Sequence, residues 1–346
     1  MRIISSDMQE ALFLQTLEEV MRTPKRFALI THVNPDGDAL GSSLAFSQFL
    51  QKLGHDAEVM VSNDFPVFLS WMPGASNIHI YERESDICNA ILDKAAYIVL
   101  LDFNNYSRAG LIQNKINSLK TSKILIDHHR DPNWDDFICA CSDTQVSSTS
   151  ELVAKTILHF GAHYIDESIA TNILVGIVTD TGSFSHSVFH PETFSICATM
   201  IEKSASYNQI HQLIYDTFSE DRLRLLGYSI STKMEVLDDF ATAIISLNKD
   251  ELSRFNYQVG DTEGVVNYPL SMKKIVMSVL VTERQGVIRF SFRSKGDFSV
   301  HELAQQHFNG GGHTNAAGGT LCCSMEEAMD RLHQVLPEYR NKLVKE

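Results

Sequence analysis

The stretch Thr31-His32-Val33-Asn34-Pro35-Asp36-Gly37-Asp38-Ala39 holds one imidazole and two carboxylates in the pattern H-x-x-x-D-x-D. Further along, Asp102 closes the run Tyr97-Ile98-Val99-Leu100-Leu101, and Asp127-His128-His129 closes Lys123-Ile124-Leu125-Ile126. Asp180 stands in Thr179-Asp180-Thr181-Gly182. His32, Asp36, Asp38, Asp102, His128 and Asp180 offer oxygen and imidazole donors with no thiolate, a set that suits Mn²⁺ or Mg²⁺, with zinc or iron as alternatives. Four carboxylates drawn together repel one another unless cations lie between them.

Each residue also has a simpler use. Asp36 and Asp38 precede a helix that either would cap well. Asp102 alone reads as a turn residue, and one histidine at a strand end says little. What favours the joint reading is placement, because each of three apolar strands ends in a donor at what would be one carboxyl edge of a sheet, where ligands bind in open α/β folds. His129 remains outside the ligand set, free either for a structural hydrogen bond or for contact with phosphate and protonation of a leaving oxygen. Asp127 is expected to orient its neighbours.

The elements that must position these groups alternate. An apolar run from Arg26 to His32 leads to a helix over 39–53 that Gly54 ends. Short β-rich runs follow at 57–61, 78–81, 97–101 and 124–126, separated by helical stretches, the pattern of an open parallel sheet with helices on both faces. Ser148-Thr149-Ser150-Glu151 forms an S-x-x-E capping box that starts a helix, and helices are expected at 167–178, 191–203 and 220–234. Beyond them the texture becomes β-rich at 241–247, 275–282 and 287–293, then comes a helix, a glycine cluster and a last helix. The expected organisation is a catalytic domain over 1–219, a helical linker over 220–238 and a smaller mixed α/β domain over 239–346.

At 346 residues, two domains fit better than one core. The formal net charge of −14 argues against a protein that grips long nucleic acid through its phosphates. No apolar run is long enough to span a membrane and the start lacks the features of a secretion signal, so a cytoplasmic location is expected. The six cysteines, Cys88, Cys139, Cys141, Cys197, Cys322 and Cys323, form no CxxC pair and read as reduced, packed thiols.

In the last third, Asn309-Gly310-Gly311-Gly312-His313 would let backbone approach a ligand and gather N–H groups around a phosphate. Taken alone, such a cluster is usually a turn. It follows Phe292-Arg293-Ser294-Lys295-Gly296, a basic strand end with an arginine suited to bidentate contact.

These segments together resemble the DHH phosphoesterase family, named for the run found here at Asp127, His128 and His129, with His32, Asp36 and Asp38, then Asp102, then Asp180 matching its other motifs. The resemblance implies two divalent ions, Mn²⁺ first, one held by His32, Asp36 and Asp102 and the other by Asp38, Asp102, His128 and Asp180, so that Asp102 bridges. Arg293-Ser294 and Gly310, Gly311, Gly312 and His313 resemble the DHHA1 substrate-binding domain, which implies contact with the terminal phosphate or nucleotide of a short substrate. The Ser-Arg-Lys-Lys motif of pyrophosphatase relatives is not found, and there is no room for the extra domains of RecJ-like exonucleases. What remains is the subgroup acting on short oligoribonucleotides or 3′-phosphoadenosine 5′-phosphate (pAp), with cyclic or linear dinucleotides and polyphosphate as alternatives and a homodimer left open. A regulatory nucleotide-binding protein without catalysis is disfavoured, since an eroded site would have lost a ligand. One departure stands out: some relatives place a basic residue after D-T-G, where this chain has Ser183, Phe184, Ser185 and His186, with His190 nearby.

Overall fold

The computed structural model describes residues 6–130, 132–185, 190–284 and 286–344. They form two compact units that part between Thr217 and Phe218.

The first unit is built on a six-stranded sheet with β1 (Arg26–Ile30), β2 (Asp56–Val61), β3 (His79–Ile80), β4 (Tyr97–Leu101), β5 (Ser122–Asp127) and β6 (Cys139–Ser142) in the order β3-β2-β1-β4-β5-β6. Every pairing is parallel. Around it run α1 (Ser6–Val20), α2 (Gly37–Lys52), α3 (Tyr81–Lys94), α4 (Gln113–Ser118), α5 (Thr149–Phe160), α6 (Glu167–Asp180), α7 (Pro191–Glu202) and α8 (Tyr207–Tyr215). Side chains alternate across each strand. Phe27, Leu29, Val99 and Leu101 enter the larger core beneath α2, α5 and α6. Ala28, Ile30, Ile98 and Leu100 enter a second core with Cys88 and Leu92 of α3 and Ile116 of α4. Both faces are dry, which is why the strands read as unbroken apolar runs.

Chain order reverses between β1 and β4, the point at which an open parallel sheet leaves a crevice at its carboxyl edge. Helices α2 and α6 crowd together beneath that crevice. A Cβ on Gly41 would lie 2.5 Å from the Asn172 carbonyl oxygen, and one on Gly176 would lie 1.9 Å from Ser150 Oγ. A larger residue at Gly41 forces α2 and α6 apart, and one at Gly176 collides with Ser150 of α5 and the Asp38 carboxylate.

The second unit has a mixed sheet ordered β11-β12-β10-β9-β8-β7, with β7 (Met234–Leu237), β8 (Thr242–Leu247), β9 (Met277–Arg284), β10 (Val287–Ser294), β11 (Gly311–Gly312) and β12 (Ala316–Leu321). Only the β8–β9 pairing is parallel. Helices α9 (Glu220–Tyr228), α10 (Lys249–Arg254), α11 (Val300–His307), α12 (Met325–Val335) and α13 (Arg340–Leu343) complete it. On β10, Ile288, Phe290 and Phe292 turn into a core with Leu303, Phe308 and Leu332, and their partners Arg289, Ser291 and Arg293 face the other way. Each of those buried phenylalanines contributes roughly 1.5–3 kcal/mol.

Residues 220–238, expected as a helical linker, are α-helical only to Tyr228. A turn of π-helix covers Ser229–Lys233, and the rest is strand β7. Leu225 is fully buried with Ile245, Leu247 and Leu280, so this segment is part of the second unit's core. Strands β6, β7, β11 and β12 and helices α1, α8 and α10 add to the elements expected from sequence. Among the described residues no helix is long and apolar enough to cross a membrane.

Candidate metal centre

β1 delivers His32 two residues beyond its end, and the chain turns through Pro35 into α2. Asp36 caps that helix, its Oδ1 accepting the N–H groups of Asp38 (3.1 Å) and Ala39 (3.0 Å). The cap uses only one carboxylate oxygen. Asp36 Oδ2 lies 3.9 Å from His32 Nε2, so the capping and ligand readings are compatible.

Asp102 follows β4 and is buried, with a left-handed backbone (φ +67°) that few non-glycine residues adopt. Such a conformation costs on the order of 1–3 kcal/mol and persists only where its surroundings enforce it. Here the enforcement is visible. Asp102 Oδ2 faces His32 Nε2 at 3.2 Å, and Oδ1 accepts from Thr149 Oγ1 at 2.9 Å and faces His128 Nε2 at 3.4 Å.

Asp38 is 1% exposed, in the first turn of α2. Its Oδ2 accepts the Thr149 N–H (2.7 Å) and its Oδ1 the Ser150 N–H (2.8 Å), both orphan donors at the start of α5. His128, one residue past β5, has Nε2 at 4.0 Å from Asp38 Oδ2 and 3.7 Å from Asp180 Oδ2. Asp180 is the last residue of α6, which runs two residues past the end expected from sequence, so the carboxylate meets the negative end of the helix dipole.

Ligand atoms of His32, Asp36 and Asp102 thus converge within 4.8 Å of one another, and those of Asp38, Asp102 and His128 do the same. Asp102 belongs to both groups.

Three observations bear on whether a divalent cation fits. The Val33 carbonyl oxygen can only accept, so His32 Nδ1 carries the proton at 3.0 Å from it, and in the neutral ring Nε2 turns its lone pair toward Asp102 and Asp36. This is how metal-binding histidines are oriented. Second, the titrations call for positive charge. Burial, then the charges of Asp102 and Asp180, push Asp38 well above the usual carboxylate range. Burial alone would lower His128, but hydrogen bonding to Asp102 and the charges of Asp180 and Asp38 outweigh it and raise it well above the usual histidine range. His32 is raised by the same balance, with Asp102 and Asp36 overcoming burial. Asp102, despite burial, is held well below its usual value by His128 and His32. Third, the donors are all oxygen and imidazole, while the six thiols are free. The residues fit hard to borderline cations.

Around this set, Asp127 is fully buried at the end of β5 and accepts from His129 Nδ1 (2.7 Å) and Asn104 Nδ2 (2.8 Å). Asp127 fixes the His129 ring. Burial, with help from Arg108 and His128, lowers the His129 pKa despite Asp127, so at neutral pH its Nε2 is an acceptor. The Asp127 contact is the structural hydrogen bond weighed for His129 from sequence, and it leaves Nε2 for a further partner.

In the second unit Arg293 sits on β10 between Ser278 and Ala316, partly exposed. Ser294, expected at the substrate, is instead buried: its hydroxyl donates to the Phe298 carbonyl (2.6 Å) and accepts from Asn315 Nδ2 (2.9 Å). The glycine cluster also departs from the expected phosphate cradle. Gly310 N–H donates to Ala304 O (3.1 Å), Gly312 N–H to His301 Nδ1 (3.1 Å) and His313 N–H to Ala316 O (2.7 Å). Those glycines serve close packing, since a Cβ on Gly310 would lie 1.9 Å from Gly318 O. Gly311 pairs with Gly318 across β11 and β12. His186 lies outside the described residues. His190 caps α7, its backbone N–H donating to Thr193 Oγ1 (3.1 Å).

Sequence reasoning missed three contributors. Thr149 passed for helix-cap sequence, and Asn104 drew no reading. Arg108, close enough to depress both His32 and His129, sits in the loop whose carbonyl receives the Val33 N–H (2.7 Å). An arginine six residues past a strand-end aspartate was the available signal.

Comparison with known proteins gives the same division. Residues 26–177 match the DHH family, N-terminal domain, and residues 239–341 match the DHHA1 domain. The chain is 28% identical over 314 residues to the bifunctional oligoribonuclease and PAP phosphatase NrnA of Thermus thermophilus, spanning 90% of this chain and 89% of that protein. The NrnA of Bacillus subtilis is 27% identical, spanning 91% and 95%. A crystal structure of an exopolyphosphatase-related protein from Bacteroides fragilis superposes with a TM-score of 0.90 at 36% identity, covering 99% of both chains.

Proposed function

This chain belongs to the DHH family of phosphoesterases, with a DHHA1 second domain, and on that premise we propose that it hydrolyses short oligoribonucleotides and removes the 3′-phosphate of pAp. The observation that carries the reading is the convergence of two donor groups on a shared Asp102. The substrate class rests on likeness to the NrnA proteins along nearly the whole chain.

Members of this family are metal-dependent. In our assignment His32, Asp36 and Asp102 hold one divalent ion and Asp38, Asp102, His128 and Asp180 hold the other, with Mn²⁺ the first choice. When bound, such ions supply Lewis acidity and acidify a coordinated water. The remaining steps fall to the chain itself. The Asp127 carboxylate keeps the proton of His129 on Nδ1, leaving Nε2 to accept a hydrogen bond from substrate or water. Arg108 brings a permanent cation to the mouth of the site, where it meets phosphate oxygens. Within the second unit, Arg293 and His313 are assigned to binding phosphate or nucleotide. The acidic surface keeps long polyanions away, so charge selects for small substrates.

The test is a Mn²⁺-supplemented assay of purified protein on a diribonucleotide, pAp, cyclic dinucleotides and polyphosphate. Mononucleotides from the first and phosphate from the second, both abolished by chelator, are expected. Activity on polyphosphate alone would instead favour the exopolyphosphatase reading that the Bacteroides fragilis protein's name suggests.

A further inference from the structure

Helix α5 begins with a residue that touches both halves of the metal centre. Thr149 is fully buried at the first helical position; its backbone N–H donates to Asp38 Oδ2 at 2.7 Å and its hydroxyl donates to Asp102 Oδ1 at 2.9 Å. We propose that Thr149 is a positioning residue of this centre, holding Asp38 and the shared Asp102 in register so that both ligand groups keep their geometry. The inference rests on the metal assignment given above and names a residue that acts on the ligands without being one.

Helix geometry explains why a threonine there is free to do this. Inside a helix the hydroxyl bonds back to the carbonyl four residues earlier, as Thr156 does to Leu152 (2.8 Å) and Thr179 to Val175 (2.9 Å). At the first helical position no preceding turn supplies that carbonyl. The hydroxyl and the orphan N–H therefore both point out of the helix end, toward carboxylates that the helix dipole also favours.

The helix end is itself anchored. Ser148 Oγ accepts the Glu151 N–H (3.1 Å), as in a capping box, but the Glu151 carboxylate turns aside to Ser147. Its Oε2 takes Ser147 N–H (3.1 Å), Ser147 Oγ (2.6 Å) and Thr193 Oγ1 (2.9 Å), and Lys155 lies 3.3 Å from Oε1. A buried, fully bonded carboxylate fixes the start of α5, and with it the position of Thr149.

Groups that hydrogen-bond metal ligands from outside typically change metal affinity by about 10–100-fold when removed. The test is Mn²⁺ titration by calorimetry of the full chain and its Thr149→Val, Thr149→Ala and Thr149→Ser variants, with thermal melts in chelator as the folding control. Expected are Kd values raised about 10–100-fold for Thr149→Val and Thr149→Ala, near-wild-type affinity for Thr149→Ser, and activity of the weakened variants recovered by raising Mn²⁺. Equal affinities for wild type and the hydroxyl-free variants would overturn the proposal. So would a Thr149→Ser protein as weak as the hydroxyl-free ones, which would assign the effect to packing of the methyl group. Should Thr149→Val fail to fold, Thr149→Ala carries the comparison. A wild-type chain that binds no Mn²⁺ sinks the metal assignment itself, a result distinct from any difference among variants.

Discussion

The two units put polar groups to work in opposite ways. In the first, Asp38, Asp102, Asp127 and His128 are all nearly inaccessible, the carboxylates held by backbone N–H groups, hydroxyls or imidazoles and His128 facing carboxylates. In the second, Arg293 stays partly exposed on a strand paired on both sides, and the glycine-rich segment is bonded to α11 and β12. Burying charge costs several kcal/mol per ion unless it is paired, and a sheet with two dry faces can bear that cost only where donors are already waiting. The first unit's polar set is therefore pre-organised by buried donors, whereas the second leaves its arginine partly exposed.

That contrast can be broken by experiment. The largest effect is expected at the residue shared by both donor groups. Asp102→Ala should lower kcat/KM by about 10³-fold or more, equivalent to about 4 kcal/mol, measured in the assay above; a variant within tenfold of wild type would mean that Asp102 is not shared by two ions. Next comes a paired glycine test. Gly176→Ala forces a methyl to within 2.7 Å of Asp38 Oδ1 and into the Ser150 side chain, so a loss of about 1–3 kcal/mol is expected in a thermal or urea melt. Gly318→Ala, whose methyl meets only Phe290 O at 3.6 Å, should shift stability by no more than about 0.5 kcal/mol. Equal losses would mean that the Ser150 and Asp38 contacts do not constrain position 176.

Arg108→Ala should raise KM for a dinucleotide by roughly tenfold, about 1.4 kcal/mol, with a smaller change in kcat. An unchanged KM would remove Arg108 from substrate binding. The smallest effect concerns thiols. Burial pushes Cys88 up to about 11 and Cys139, Cys141 and Cys197 to about 12. A raised pKa leaves little thiolate below that pH, and reactivity grows as pH climbs toward it. At pH 8, alkylation followed by mass spectrometry should find Cys322, which is exposed, modified first, and the four first-unit thiols only after unfolding.

The catalytic half was the more legible in sequence because each donor stood where a readable strand stopped. Tyr97–Leu101 ends at Asp102, and apolar runs of that length have one sensible place in a doubly covered sheet. Strand β6, Cys139–Ser142, escaped notice because Cys-Ala-Cys-Ser carries no β-branched or aromatic residue. Thr149 was read as cap sequence since a motif specifies local bonding only, and its partners lie 111 and 47 residues away. The glycine cluster misled for the same reason: Gly310 and Gly312 are required by neighbouring backbone, and no local pattern tells that from an open cradle. Ser294 fell to the same ambiguity, its hydroxyl used by Phe298 and Asn315.

The left-handed backbone at Asp102 has a practical corollary. Among residues with a side chain, asparagine joins aspartate in tolerating that conformation readily. Exchanging Asp102 for asparagine keeps size, planarity and backbone preference while deleting the charge. Such a chain would be a quiet, well-folded trap, suited to capturing an uncleaved nucleotide for crystallography, whereas alanine at the same position adds backbone strain to the lost carboxylate.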